Sequence, residues 1–259
     1  MYINKDNLIL SLSQFKGAIP FDHCVVDDFF SDEIAALLEG EFLEYESPKW
    51  CLYKNAIENK KTLNDWNLFP PLTYRIFNFL LSKDFMLLLE KGLGIELFQD
   101  PGLHGGGWHI HGKDGNLNPH YDYSIHPKLR IQRKINIIIY LSSALKPEHG
   151  GHLGLWGHDS NRNTTGPLIK EIEPKFNRAV IFDTTQNSWH GMSRSLTQPE
   201  GVYRKSLAIY YLVTPPSGVD ERERALFAPR DDQRGDADIE KLIKTRADSR
   251  GYSTVYTDD

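Results

Sequence analysis

From Arg133 to Leu141 the chain reads Arg-Lys-Ile-Asn-Ile-Ile-Ile-Tyr-Leu, and four of the five residues from 135 to 139 are isoleucine. β-Branched side chains favour the extended backbone. A strand apolar on both faces belongs in the middle of a sheet that is covered on both sides. This stretch therefore predicts a central strand with other layers above and below. Asn136 and Tyr140 interrupt it, and a period of two puts them on one face. Buried polar groups need partners, so that face is expected to meet something polar.

The surroundings carry the same message. From residue 95 to about 214, short apolar stretches alternate with Gly, Pro and Asn. That spacing predicts an all-β sandwich or barrel. Strands are expected over 95–98, 104–111, 117–123, 131–142, 152–157, 168–173, 178–184, 188–193 and 203–213. Residues 1–29 read as strand-rich. A helix opens near Ser31 and Asp32, with Ile34, Leu37 and Leu38 as its apolar stripe. Residues 43–70 have no clean period and read as loop with short elements. A helical stretch covers 72–91, with Ser82 as a restart point and Gly92 and Gly94 as stops. A charged segment from 215 to 259 holds a helical run near 236–247. The expected fold is mainly β with flanking α: N-terminal support (1–94), a β core (95–214) and a C-terminal tail (215–259), all in one domain.

Composition excludes several functions. The net charge is −5 with no basic block, which argues against nucleic-acid binding. No apolar run approaches the ~18 residues that span a membrane. The N-terminus lacks the basic-then-apolar pattern of a signal peptide, so a cytoplasmic protein is expected. Cys24 and Cys51 are read as two buried free thiols in preference to a disulfide. The oligomeric state is open, a homodimer included.

Asn118-Pro119-His120-Tyr121-Asp122 contains a His-x-Asp. On a strand, residues i and i+2 share a face, so one imidazole and one carboxylate converge. A second histidine would complete the 2-His-1-carboxylate facial set that binds Fe(II) and leaves positions open. His190 is preferred for this role over Asp183 and other carboxylates. Further on, Arg204, Ser206, Ala208 and Tyr210 share a face of the last long strand. A guanidinium beside a hydroxyl suits a carboxylate. A small diacid bound there would also answer Asn136 and Tyr140. Trp156, Trp189 and the 43–70 segment are candidates for lining the mouth.

These motifs, in this order, resemble the Fe(II)/2-oxoglutarate-dependent oxygenases of the prolyl-4-hydroxylase type. The resemblance covers about 103–213, and more loosely 20–103. It rests on Gly105-Gly106-Gly107-Trp108-His109, His120-Tyr121-Asp122, Arg133 through Tyr140-Leu141, and Gly150-Gly151-His152-Leu153. Ile172 to Arg178, His190-Gly191, Arg204-Lys205-Ser206 and the early Val25, Asp28, Phe29 and Phe30 complete it. It implies a double-stranded β-helix (jelly roll) with N-terminal helices packed on it. It also implies Fe(II), 2-oxoglutarate and O2 as the reacting partners, with ascorbate as an optional reductant. His120, Asp122 and His190 would hold the metal. Arg204 and Tyr140 would hold the distal carboxylate, with Ser206 and Asn136 as further contacts. The substrate implied is a prolyl peptide or amino acid, with a sugar, lipid or natural product as the alternative. One departure stands out: where relatives place a co-substrate tyrosine, this chain has His111. His109-x-His111 also raises a cupin-type metal site or a non-catalytic binding module. A cupin motif would place Glu about four residues on, where Gly115 stands.

Overall fold

The computed structural model describes residues 2–248. The chain opens with helix α1 (Lys5–Leu12), strand β1 (His23–Val26) and helix α2 (Asp32–Glu41). The hairpin β2 (Cys51–Lys54) and β3 (Glu58–Leu63) comes next, then helices α3 (Pro71–Leu80) and α4 (Lys83–Leu93). The β core runs through β4 (Phe98–Gln99), β5 (Gly107–His111), β6 (Asn116–Leu117), β7 (His120–Tyr121) and β8 (Gln132–Tyr140). It continues with β9 (Leu153–Asp159), β10 (Thr164–Ile172), β11 (Ala179–Asp183), β12 (His190–Met192) and β13 (Arg204–Val213). The two-residue strand β14 (Leu226–Phe227) and helix α5 (Ala237–Ala247) follow.

The strands form two antiparallel sheets. The major sheet runs β1-β11-β8-β13-β5-β3-β2, and the minor one β10-β9-β12-β7-β14. Strand β8 is central, between β11 and β13. Its alternation separates two cores. Ile135, Ile137 and Ile139 join Leu207, Ile209 and Tyr211 in a cluster with Leu8, Leu38, Ile76, Phe77 and Phe85 from the helices. Tyr140, Val180 and Phe182 pack on Leu153, Leu155 and Ile172 of the minor sheet. One face of the major sheet thus carries the helices, and the other faces the minor sheet.

The N-terminal region departs from expectation. Residues 5–12 are helical, not extended: the Asn4 side chain accepts from Asn7 N at 3.2 Å, and Leu8 and Leu12 bury one face. On α2 the buried residues are Ala35 and Leu38, while Leu37 is exposed. The 72–91 stretch is two helices. Ser82 caps the second through Phe85 N, and Gly94 ends it in the left-handed region. Residues 43–70 contain a hairpin that extends the major sheet by two strands. Cys24 is buried as expected, but Cys51 is exposed, because it lies on the outermost strand β2.

Long-range polar contacts tie the N-terminal layer to the β core. Asn177 exchanges side-chain hydrogen bonds with the backbone of Phe30, both at 2.9 Å. Arg178 grips Asp27 with two bonds of 2.6 and 3.0 Å. No helix among the described residues is long and apolar enough to cross a membrane.

Candidate metal centre

His120 and His190 are direct partners across the β7–β12 pair. Their rings lie 4.3 Å apart. Asp122, two residues past His120, reaches both: its Oδ1 is 3.8 Å from His120 Nε2 and its Oδ2 is 3.7 Å from His190 Nε2. The three side chains are 9%, 7% and 4% exposed for His120, Asp122 and His190. Their ligand atoms all lie within 4.8 Å of one another, the one such cluster among the described residues. Asp183 is elsewhere, paired with Lys134 at 2.6 Å.

The backbone orients both imidazoles. His120 Nδ1 sits 3.0 Å from Asn118 O, and His190 Nδ1 sits 2.8 Å from Ser188 O. A carbonyl only accepts, so Nδ1 carries the proton and Nε2 presents a lone pair to the centre. Burial, then the neighbouring His190, pushes the His120 pKa well below the imidazole range, and burial lowers that of His190 too. Burial works against ionisation of Asp122, but neighbouring positive charge, led by the Arg133 guanidinium, outweighs it and holds the carboxyl below its usual range. The set is two neutral imidazoles and one carboxylate. The Oδ2 of Asp122 is buried without a hydrogen-bond partner among the described residues. A divalent cation answers both the orphaned oxygen and the two bare nitrogens, and this donor set suits Fe(II). A Cβ on Gly191 would lie 2.6 Å from Asn118 O, so only glycine lets β12 approach the turn that orients His120.

A second polar group lies on the facing major sheet. Arg204 is buried, its Nε donates to Gly151 O at 2.9 Å, and its guanidinium lies 4.8 Å from the Tyr140 ring centre. In register, Ser206 pairs with both Tyr140 and His109, and Arg204 pairs with His111. Ser206, Tyr140, Arg204 and His111 therefore meet as one patch. The Tyr140 hydroxyl and both ring nitrogens of His111 are buried without a well-formed hydrogen bond among the described residues. A carboxylate would satisfy them. Asn136 is not part of this patch. It pairs with Tyr210, four residues along β13 from Ser206 and so about 13 Å away, and its Oδ1 is also unpartnered among the described residues. Trp189 is buried, with Nε1 3.1 Å from His158 Nδ1.

Four residues at the site were given no role by the sequence reading. Arg133 donates to Asp122 Oδ1 at 3.0 Å and lies 3.1 Å from the Tyr210 ring centre and 4.2 Å from that of Tyr123. Strict alternation would put Arg133 on the face opposite Asn136. A register shift, Tyr211↔Ile135 followed by Leu212↔Arg133, turns it inward, as β-bulges do beside functional sites. The usable signal was a lone arginine heading an apolar strand. Phe227 of β14 pairs with His120 and stacks on its ring at 5.1 Å. Arg230 donates to Asn118 Oδ1, Asn116 Oδ1 and the carbonyls of Met192 and Ser193, bracing both histidine strands from behind. Two residues of strand in a charged tail leave no period to read. Lys60, on β3, is the fourth.

Residues 106–212 match the family described as the 2OG-Fe(II) oxygenase superfamily. Prolyl 3-hydroxylase OGFOD1 of Xenopus laevis is 33% identical over 106 residues, covering 39% of this chain and 20% of that protein. The chain thus spans about a fifth of the length of that curated relative. A prolyl-4-hydroxylase from Pseudomonas putida superposes with a TM-score of 0.55 at 12% identity, over 81% of this chain and 100% of that one. A prolyl hydroxylase from Trichoplax adhaerens, solved with a hypoxia inducible factor oxygen degradation domain peptide, gives 0.53 at 15% identity, over 80% and 88%. At these identities the solved structures speak for the jelly-roll fold. Residues 106–212 thus resemble the 2OG-Fe(II) oxygenase superfamily, and the chain has the jelly-roll fold of these prolyl hydroxylases.

Proposed function

We propose that the chain is an Fe(II)- and 2-oxoglutarate-dependent dioxygenase that hydroxylates an unactivated C–H of a prolyl residue or amino acid, releasing succinate and CO2. The observation that carries the reading is the buried His120–Asp122–His190 cluster, with its nitrogens bare and one carboxylate oxygen orphaned, facing the Arg204–Tyr140 patch. When bound, Fe(II) with 2-oxoglutarate and O2 supplies the oxidising power that no side chain has. His120, Asp122 and His190 hold the metal, and the carbonyls of Asn118 and Ser188 fix the imidazole tautomers. Arg133 keeps Asp122 ionised and aimed. Arg204, with the Tyr140 hydroxyl and Ser206, receives the distal carboxylate of 2-oxoglutarate. His111 replaces a tyrosine as a neutral donor toward the same ligand. Leu153, Leu155, Val180 and Phe182 line the adjoining interior and exclude water.

The prolyl reading draws on the names of the relatives. The same chemistry on another small molecule is the second reading. A cupin-type site has less support, because His109 and His111 are outside the one metal-ligand cluster among the described residues.

The test is anaerobic binding of Fe(II) and 2-oxoglutarate, followed by the visible metal-to-ligand charge-transfer band. Wild type should form the band, His120→Ala and His190→Ala should abolish it, and Arg204→Ala should demand far more 2-oxoglutarate to reach it. A wild-type protein that binds iron but never shows the band would overturn the assignment.

A further inference from the structure

Strand β3 brings a cation into the site that neither the metal nor the co-substrate accounts for. Its register with β5 runs Leu63↔Trp108, Thr62↔His109, Lys61↔Ile110. Continued by one residue, it sets Lys60 opposite His111, which is itself opposite Arg204 on β13. Directly opposed residues of antiparallel strands share a face. Arg204, His111 and Lys60 therefore form one rung across three strands, all on the face that meets the metal sheet. Lys61 alternates to the outside, where its ammonium donates to Tyr45 O at 2.7 Å.

The two outer members of the rung lean apart. Strands lie about 4.8 Å from their neighbours, so the Lys60 and Arg204 backbones are about 10 Å apart. Arg204 turns toward Gly151 and Tyr140 on the β8 side. Lys60 turns the other way, toward Tyr53, whose ring centre is 5.3 Å from its Nζ. Its side chain is 15% exposed. Among the described residues its one ion pair is with Glu58, at 3.8 Å, which is longer than a hydrogen bond. Arg246 of α5 holds the other carboxylate oxygen, Oε1, at 2.8 Å, so the two cations share one buried carboxylate. Arg133 adds a second buried cation beside Asp122, with Nε and Nη2 unpartnered among the described residues. Once 2-oxoglutarate occupies Arg204, this side of the site still has excess positive charge. A half-buried ammonium is costly unless an anion meets it.

We propose that Lys60 is a specificity-determining residue that receives an anionic group, carboxylate or phosphate, of a small substrate. The substrate class follows: a free amino acid or another small acid, or a phosphorylated small molecule, and not a neutral prolyl residue within a peptide. This inference rests on the oxygenase reading above and narrows it.

The test uses the full chain with Fe(II) and 2-oxoglutarate, and compares matched pairs of compounds. One arm pairs free L-amino acids, proline included, with their carboxamides. The other pairs sugar phosphates with the parent sugars. Succinate release and perturbation of the charge-transfer band are both read. Acids of one arm should stimulate succinate release, with their neutral partners about tenfold or more weaker in kcat/KM, the size of one charge-assisted hydrogen bond. Lys60→Met should bring the acid down to its neutral partner, mainly through KM, and Lys60→Arg should restore much of the difference. The band formed with 2-oxoglutarate alone should persist in both variants, which also shows that they fold. The arm that responds identifies carboxylate or phosphate. Neutral partners that work as well as the acids, acids that are silent in both arms, or a Lys60→Met protein that still discriminates would each overturn the proposal. A missing band in wild type would instead overturn the oxygenase reading itself.

Discussion

The two faces of the major sheet are built from alternate residues of the same strands, yet they obey opposite rules. The outer face carries Ile135, Ile137, Ile139, Leu207 and Ile209, all buried against helices. Its groups need nothing beyond one another. The inner face carries Tyr140, His111, Arg204 and, by the continued register, Lys60. Several of its polar atoms are buried without partners among the described residues, each a cost of about 1–3 kcal/mol unless a ligand answers it. One face is spent on stability, and the other keeps polar groups that a ligand would answer, as expected where function and packing compete. A period of two lets one strand serve both.

This contrast can be broken or sharpened experimentally. The largest effect is expected at the minor-sheet centre: His190→Ala should weaken divalent-metal affinity by a factor of about 1,000 or more while leaving the urea midpoint of the metal-free protein near wild type. A titration with Co(II), read by its visible absorption, checks the first half. A large loss of stability instead would mean that the histidine is structural. On the outer face Ile137→Ala should do the reverse, lowering unfolding free energy by about 2–5 kcal/mol with metal binding unchanged. Next, His111→Ala should raise the 2-oxoglutarate KM by about tenfold; unchanged KM and turnover would remove this residue from the co-substrate site. The smallest effect belongs to the N-terminal seam. The hydrogen bond from Arg178 holds the Asp27 carboxyl below its ordinary value. Such a group contributes stability above the unfolded-state carboxyl pKa of about 3.9, and the contribution disappears as pH falls through the lower folded value. Asp27 is 41% exposed, so solvent screening limits the pair to less than about 1 kcal/mol. Arg178→Met should cost that much at pH 7 and nothing below the folded value, seen as convergence of the two thermal midpoints in acid.

Much of the arrangement was legible in the residues alone. β-Branched alternation marked β8, β11 and β13, because those strands bury both faces and their chemistry repeats every second residue. His120, Asp122 and His190 were legible as well, since His-x-Asp on a strand aims two donors at one point whatever surrounds it. Ser82 and Gly94 marked the ends of α4 through cap chemistry that is local. Tertiary structure decided the rest. Strand β3 reads Glu-Asn-Lys-Lys-Thr-Leu, polar on both faces, because its inner face meets the site. Without apolar alternation only pairing with β2 and β5 makes it a strand. A one-residue register shift, invisible in the residues, turns Arg133 from the helix side to Asp122. Leu37 is exposed where periodicity would bury it, because which stripe of α2 is covered depends on where its neighbours sit. Strand β14 exists only because the edge of β7 offers it hydrogen bonds. Local propensity and period act within a few residues of sequence. Register, bulges and edge pairing are settled between segments far apart in the chain, and at this site those long-range choices set which charges face the His120–Asp122–His190 cluster.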